Sequence, residues 1–236
     1  FSCSCDDTQM PDNDAPSPAS LTELPLFPLG TVLFPGALLP LQLFELRYLQ
    51  MIGECERLGT GFGVVTLTQG REVHRPGAAA EQFEPIGTRV QIERIERPQP
   101  GVVLVWCRGV ERFEIHSTQQ RSDGLWRGQV QNLPSEPHLP VPDHLHYLAS
   151  QIQVALETLS AQDSVLPHWP KPWALDDCAW LSHRWCELLP ISLAMKYRLF
   201  TLQEPLMRLE LVGDMVESAP SATSGGNAGQ KPPANS

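Results

Sequence analysis

Lysine is almost missing from this chain of 236 residues: Lys171, Lys196 and Lys231 are the whole supply, and they follow Pro, Met and Gln. A P-loop needs Gly-Lys-Ser/Thr so that backbone amides and an ammonium cradle the phosphates, so no ATPase module of that kind is encoded. Basic residues are scarce overall, with 17 Lys and Arg against 27 Asp and Glu and a formal charge of -10. That balance disfavours a nucleic-acid backbone as the main ligand, because sequence-independent affinity for it comes from clustered Lys and Arg. Long apolar runs are missing too; every one is interrupted by Pro, which argues against a transmembrane helix. Gly-x-Ser-x-Gly and His-Glu-x-x-His are absent, so the chain offers neither a hydrolase elbow nor a helical zinc site.

Cysteine is present but carries no framework. Cys55, Cys107, Cys178 and Cys186 sit in apolar patterns, where free Cys behaves as a small hydrophobe, and a reduced, cytoplasmic location is the simplest reading. Cys178, His183 and Cys186 invite a zinc site, yet on a helix they point about 0°, 140° and 80° around the axis, which one metal cannot gather. No metal and no cofactor is implied. His138, His144 and His146 stand beside Pro140 and Pro142 in a polar connection. Asp176-Asp177, and Glu111 with Glu114, read as caps and solvated faces rather than paired acid and base.

What the chain does have is an apolar opening punctuated by turns. From Leu24 to Tyr48 it reads LPLFPLGTVLFPGALLPLQLFELRY, with Pro25, Pro28, Pro35 and Pro40 forbidding one continuous helix and Gly30 and Gly36 marking turns. Short extended pieces are expected at Leu24 to Phe27, Thr31 to Phe34 and Ala37 to Leu43. A helix then starts near Phe44 with the stripe Phe44, Tyr48, Met51, Cys55 and Leu58. Strands follow at Gly61 to Leu67, Ile86 to Arg97, Val102 to Cys107, Val110 to Ile115 and Leu125 to Val130, with Thr68 to Pro85 as a mobile loop. So many short strands favour a closed or nearly closed barrel.

The second half changes to helical period. Leu145, Leu148, Ile152, Ala155 and Leu159 form one stripe with Asp143 placed as cap, and a Pro-rich connection, Pro167 to Pro172, follows. Asp176 or Asp177 caps a helix carrying Cys178, Leu181, Trp185 and Leu188; Pro190 ends it, Ser192 caps the next, and Pro205 opens the last. Trp169, Trp173, Trp180 and Trp185 read as core filling. The expected organisation is a tail at 1–20, a β domain at 21–133, a helical domain at 134–217 and a second tail at 218–236, both tails being too polar to order. Because the chain begins at Phe1, Met10 or an upstream residue is the expected start, and Cys3-Ser4-Cys5 lacks the apolar stretch that precedes a lipoprotein cysteine.

The opening run, together with Phe62-Gly63-Val64-Val65, Ile86-Gly87-Thr88, the alternating Val90, Ile92 and Ile95, and Gly109-Val110-Glu111-Arg112-Phe113, resembles the N-terminal domain of Lon protease. Leu188-Leu189-Pro190, Lys196, Leu199 and Pro205 to Leu209 resemble that family's helical end, so the likeness covers roughly Leu21 to Val216. This is the substrate-binding module of Lon, which also occurs in cereblon and in small stand-alone bacterial proteins. The resemblance implies an α+β fold, a PUA-like β-barrel or sheet domain followed by a C-terminal four-helix segment. It implies a non-catalytic peptide-binding module without the ATPase and the Ser-Lys peptidase of Lon, able to serve as an adaptor for a separate protease.

The physical means would be an apolar groove plus main-chain pairing at a sheet edge. Phe34, Pro35, Leu39, Phe44 and Tyr48 are the peptide-binding candidates, each with core packing as its other possible role. Arg112 reads as an internal ion pair or turn anchor. Two rival classes stay open. An RNA binder would align Arg89, Arg94, Arg97, Arg108 and Arg112 on one exposed face, and a hydrolase would pair a serine with His116 or His183.

Overall fold

The structure, a computed structural model, describes residues 21–70, 81–161, 169 and 171–218. The readings of both tails, of Thr68 to Pro85 where it spans 71–80, and of Pro167 to Pro172 at 167, 168 and 170 lie outside the described residues. Six strands are present: β1 (Thr22–Leu29), β2 (Leu38–Leu43), β3 (Phe62–Gln69), β4 (Gln82–Gln99), β5 (Val102–Gln120) and β6 (Trp126–Asn132). Helix α1 (Leu46–Leu58) lies between β2 and β3, and a 3-10 turn (Asp143–Leu145) leads into α2 (His146–Ala161), α3 (Cys178–Leu188), α4 (Leu193–Thr201) and α5 (Pro205–Ser218). The fold is α+β, with four helices after the sheet.

The sheet runs β2-β5-β4-β3-β1-β6, and β5 also pairs with β6, so five strands close on themselves while β2 stands beside the first half of β5. Proline explains part of this shape. Strand β6 pairs with Thr22 to Leu26 and β3 with Leu26 to Leu29, so Pro25 and Pro28 each fall where β1 has a strand on one side only. Glycine explains another part. A Cβ on Gly63 or Gly87 would lie 2.6 or 2.7 Å from Cζ of Phe113, so those two positions leave room for the buried ring that fills the barrel.

Several sequence-based boundaries are corrected. Thr31 to Phe34 forms no strand; two of its carbonyls are held by side chains, Thr66 Oγ1 donating to Thr31 at 3.2 Å and buried Thr88 donating to Leu33. The pieces around Arg108-Gly109 are one strand, β5, in which Arg89 opposes Glu111 and Val90 opposes Gly109, leaving Val110 bulged and exposed. Gln82 to Pro85 belong to β4 rather than to a loop. Helix α1 starts two residues after Phe44, with Phe44 and Leu58 exposed and Tyr48, Met51 and Cys55 buried. Asp143 lies within the 3-10 turn, whose cap is Pro142, and Leu156 replaces Ala155 and Leu159 as the last buried residue of the α2 stripe. Asp177 caps α3 through the amides of Ala179 and Trp180, Ser192 caps α4 through Met195, and Pro205 opens α5.

The helices bind the barrel through the opening segment and one charged cluster. Val32 and Phe34 share a core with Cys186, Leu189, Leu199, Phe200 and Val212, so the apolar seam crosses from the barrel side to α3, α4 and α5. Arg112 of β5 and Arg208 of α5 both pair with Glu136, and all three are nearly inaccessible. Arg112 Nη1 also donates to the carbonyls of Phe200 and Leu202, and Arg208 Nε donates to that of Leu199. Arg112 is thus the internal anchor its sequence context indicates. Removing Glu136 leaves two buried guanidinium groups without their shared carboxylate. Glu136→Ala should cost about 3 to 5 kcal/mol in urea unfolding, whereas Arg94→Ala at an exposed pair should cost no more than about 1 kcal/mol.

Candidate functional site

Where the opening segment meets the helices, a cleft of about 280 Å³ is left open. Val32, Leu33, Leu38 and Leu39 line one wall, and Leu159, Trp169 and Leu188 line the other. The first wall exists because Gly36 and Pro35 turn the chain: Ala37 N–H returns to Phe34 O at 3.1 Å, and the Gly36 amide donates to Gly109 O at 2.8 Å. A Cβ on Gly109 would meet Phe34 O at 2.7 Å, so this close approach needs glycine. A larger depression of about 630 Å³ lies between the C-terminus of α1 and β4. Its walls carry Glu56, Arg89, Glu93 and Arg94, which suit it less to apolar ligands.

Strand β2 forms the rim of the cleft and pairs only with β5 among the described strands. Just before β2, the Ala37 carbonyl accepts from Gly109 N–H at 2.9 Å. Alternation along an antiparallel pair therefore turns the backbone of Leu39, Leu41 and Leu43 toward β5 and that of Leu38, Pro40 and Gln42 outward. Pro40 puts its missing donor on the open side, which keeps β2 from being a template for unlimited pairing.

The five residues singled out in the sequence are not gathered in one place. Phe34 is fully buried, its ring 5.3 Å from that of His183 and 5.5 Å from that of Phe200. Tyr48 is buried against Phe27 at 4.2 Å with Arg47 over its face. Phe44 is 54% exposed beyond the end of β2. Pro35 is partly buried, with its carbonyl taken by Arg184 Nη2 at 2.7 Å. Leu39 alone of the five lines the cleft. Its neighbours Val32, Leu33 and Leu38 were legible only as apolar residues, and Trp169 and Leu188 come from too far along the chain for any local pattern to connect them.

Behind the cleft sits a buried charged layer. Trp169 Nε1 donates to Glu187 Oε2 at 3.1 Å, Arg184 pairs with Glu187 Oε1, and Lys196 Nζ donates to the Glu187 carbonyl at 3.0 Å. Burial pushes the Glu187 carboxyl up to about 7 against the pull of Arg184, Trp169 and Lys196. In the neighbouring cluster, burial takes His183 down to about 3 despite Glu136 beside it. For Glu136 burial works upward, but hydrogen bonding to His183 and Arg208 outweighs it and sets the carboxyl at about 2. Since His183 is neutral above about 3, the charge that holds Glu136 ionised is that of Arg208 and Arg112.

The features of the rival readings are also placed. Arg89 pairs with Glu111, Arg94 with Glu96, Arg97 with Glu56, Arg108 with Glu93 and Arg112 with Glu136, so the five arginines form no free basic face. His116 meets Gln131 at 3.0 Å and His183 meets Arg208, and neither is bonded to a serine among the described residues. Cys55, Cys107, Cys178 and Cys186 are buried free thiols. Among the described residues no group of His, Cys, Asp or Glu is arranged to hold a metal ion, and no helix is long and apolar enough to cross a membrane.

Comparison with known proteins gives a consistent picture. A model of the ATP-dependent protease La (LON) substrate-binding domain matches residues 23–218. Protein cereblon of Danio rerio is 30% identical over 128 residues, 52% of this chain and 28% of that protein, so the chain spans less than a third of that relative. The crystal structure of a Lon N-terminal domain protein from Xanthomonas campestris is 31% identical, with a TM-score of 0.62 over 84% of this chain and 99% of that one. The N-terminal domain of the Mycobacterium avium complex Lon protease, 15% identical with a TM-score of 0.54, covers 84% of this chain and all of its own and shares the fold.

The charged layers predict an unusual pH profile. His183 is lowered from 6.5 to about 3, so the unfolded chain binds more protons and stability falls as pH falls through that window. Glu136, lowered from 4.5 to about 2, acts in the same direction at more acid pH. Glu187 is raised from 4.5 to about 7, so its stabilisation is present below 4.5 and is lost as pH rises to about 7. Urea midpoints should change little between pH 4.5 and 6.5, where His183 and Glu187 oppose each other, and drop steeply below 4.5. Glu187→Gln should unmask a rise of about 2 kcal/mol between 4.5 and 6.5; a flat profile in that variant contradicts the assignment.

Proposed function

We propose that this chain, which belongs to the family of the ATP-dependent protease La (LON) substrate-binding domain, is a non-catalytic module that holds extended apolar segments of other polypeptides. The observation that carries the reading is the apolar cleft at the seam of barrel and helices with the outward edge of β2 at its rim. An apolar side chain of the bound segment enters between Leu33, Leu39 and Leu188, and its backbone pairs with Leu38 and Gln42. Pro40 offers a carbonyl and no donor there, so pairing stays short and exchange fast. A volume near 280 Å³ admits few side chains, which fits weak, sequence-tolerant binding in the micromolar range.

The matched arginines support a polypeptide over RNA, and the engagement of His116 by Gln131 and of His183 by Arg208, with no hydrogen bond from either to a serine among the described residues, supports binding over hydrolysis. Buried free thiols support a reducing, cytoplasmic setting. Presentation of the held segment to a separate protease is the role we assign, and the β domain at 21–133 with the helices at 134–217 acts as one unit because the cleft takes a wall from each.

The test is anisotropy with a fluorescein-labelled, reduced and carboxymethylated protein. Leu39→Glu should weaken binding at least about tenfold with the fold retained, and Phe44→Glu, outside the cleft, should leave it unchanged. Phe34→Asp should instead lose more than about 3 kcal/mol of stability, since it buries a charge among Phe200 and Val212. Undiminished binding by folded Leu39→Glu would place the site elsewhere.

A further inference from the structure

Two charged residues line the apolar cleft, Glu187 and Lys196, and they are not equivalent. Both oxygens of Glu187 are engaged, one by Arg184 and one by the Trp169 indole. Arg184, almost wholly buried, binds through Nη2 alone; its Nε and Nη1 have no hydrogen-bond partner. The layer behind the cleft therefore holds a guanidinium surplus in donors, and each oxygen of its one carboxylate already accepts a hydrogen bond. Lys196 is partly exposed, and its ammonium makes one hydrogen bond, to the backbone carbonyl of Glu187, with no carboxylate paired to it among the described residues. The arginines on the barrel surface contrast with it, Arg97 and Arg127 among them, each having a carboxylate partner. A Lys or Arg side chain entering here would meet the Lys196 ammonium and a carboxylate already bonded at both oxygens, with the Arg184 cation buried behind them; a carboxylate would meet an ammonium with donors to spare.

We infer that the cleft selects an apolar segment that carries a carboxylate, foremost the α-carboxylate of an apolar C-terminal residue, and that Lys196 is the residue that reads it. The inference rests on the polypeptide-binding reading and deepens it. A C-terminal Leu or Phe presents its side chain and its carboxylate from one Cα, which matches a cleft of about 280 Å³ with a single ammonium at its wall. An internal segment needs two residues to supply the same pair of groups. Lys196 also caps the last turn of α3 through the Glu187 carbonyl, a structural role that would not distinguish one peptide end from another.

The experiment compares three labelled peptides of one apolar sequence ending in Leu-Phe: the free acid, the C-terminal amide, and the amide with Asp placed beside Leu. The whole chain should bind the acid about fivefold tighter than the amide, a difference that shrinks in high salt. Lys196→Gln should bind the acid no more tightly than it binds the amide, and Lys196→Arg should restore the preference. Strong binding of the Asp-containing amide would show that a side-chain carboxylate serves as well, with Lys196 still the reader; weak binding of it would single out the chain terminus. Equal binding of acid and amide by the unmodified chain, or a preference that survives Lys196→Gln, overturns the inference and leaves the binding module standing. Failure of all three peptides to bind overturns both.

Discussion

Glu136 lies in the connection after β6, and its two oxygens receive arginines that come from opposite halves of the chain, Arg112 from β5 and Arg208 from α5. Each arginine also donates to carbonyls around the end of α4, so the carboxylate, two guanidinium groups and three carbonyls form one buried cluster. Such a cluster is costly to break because each lost partner leaves a buried charge behind. Its consequence is positional. With α3, α4 and α5 fixed against the barrel, Leu188 and Trp169 stand opposite Leu33 and Leu39, and a cleft exists only while they do.

The same economy shapes the edge beside the cleft. A free strand rich in Leu is an invitation to aggregate, yet a strand with no free edge could not hold an extended segment. Strand β2 meets both demands: Leu39, Leu41 and Leu43 are committed to β5, while Pro40 interrupts the row of donors facing outward. The proline that breaks helical pattern in the sequence thus acts in the structure as a limit on strand addition. The charged layer behind the cleft is asymmetric, since both oxygens of the Glu187 carboxyl accept hydrogen bonds while the Lys196 ammonium makes one, to the Glu187 carbonyl.

Much of the architecture was legible because it rests on local chemistry. Alternation in Ile86 to Arg97, the Asp177 and Ser192 caps and the first-turn Pro205 each report on their own few residues, and the structure uses each as expected. The misses share a cause in long-range contacts. Thr31 to Phe34 has strand composition, but two of its carbonyls are taken by Thr66 and Thr88 hydroxyls, which no local pattern announces. Phe34 and Tyr48 were candidates by hydrophobicity, and hydrophobicity alone does not separate a groove from a core; the partners that bury them, Phe200 and Phe27, decide it. The cleft itself joins residues more than a hundred positions apart, so only the folded chain displays it.

The central claim is that extended polypeptide lies along β2 over this cleft, and hydrogen exchange of the chain with and without a saturating unfolded polypeptide tests it most directly. The account predicts slowed exchange confined to the span 31–43 and to the last turn of α3, with the outward amides of Leu38 and Gln42 changing most. Slowing confined instead to β6 and the far half of β5, with 31–43 unchanged, would contradict it.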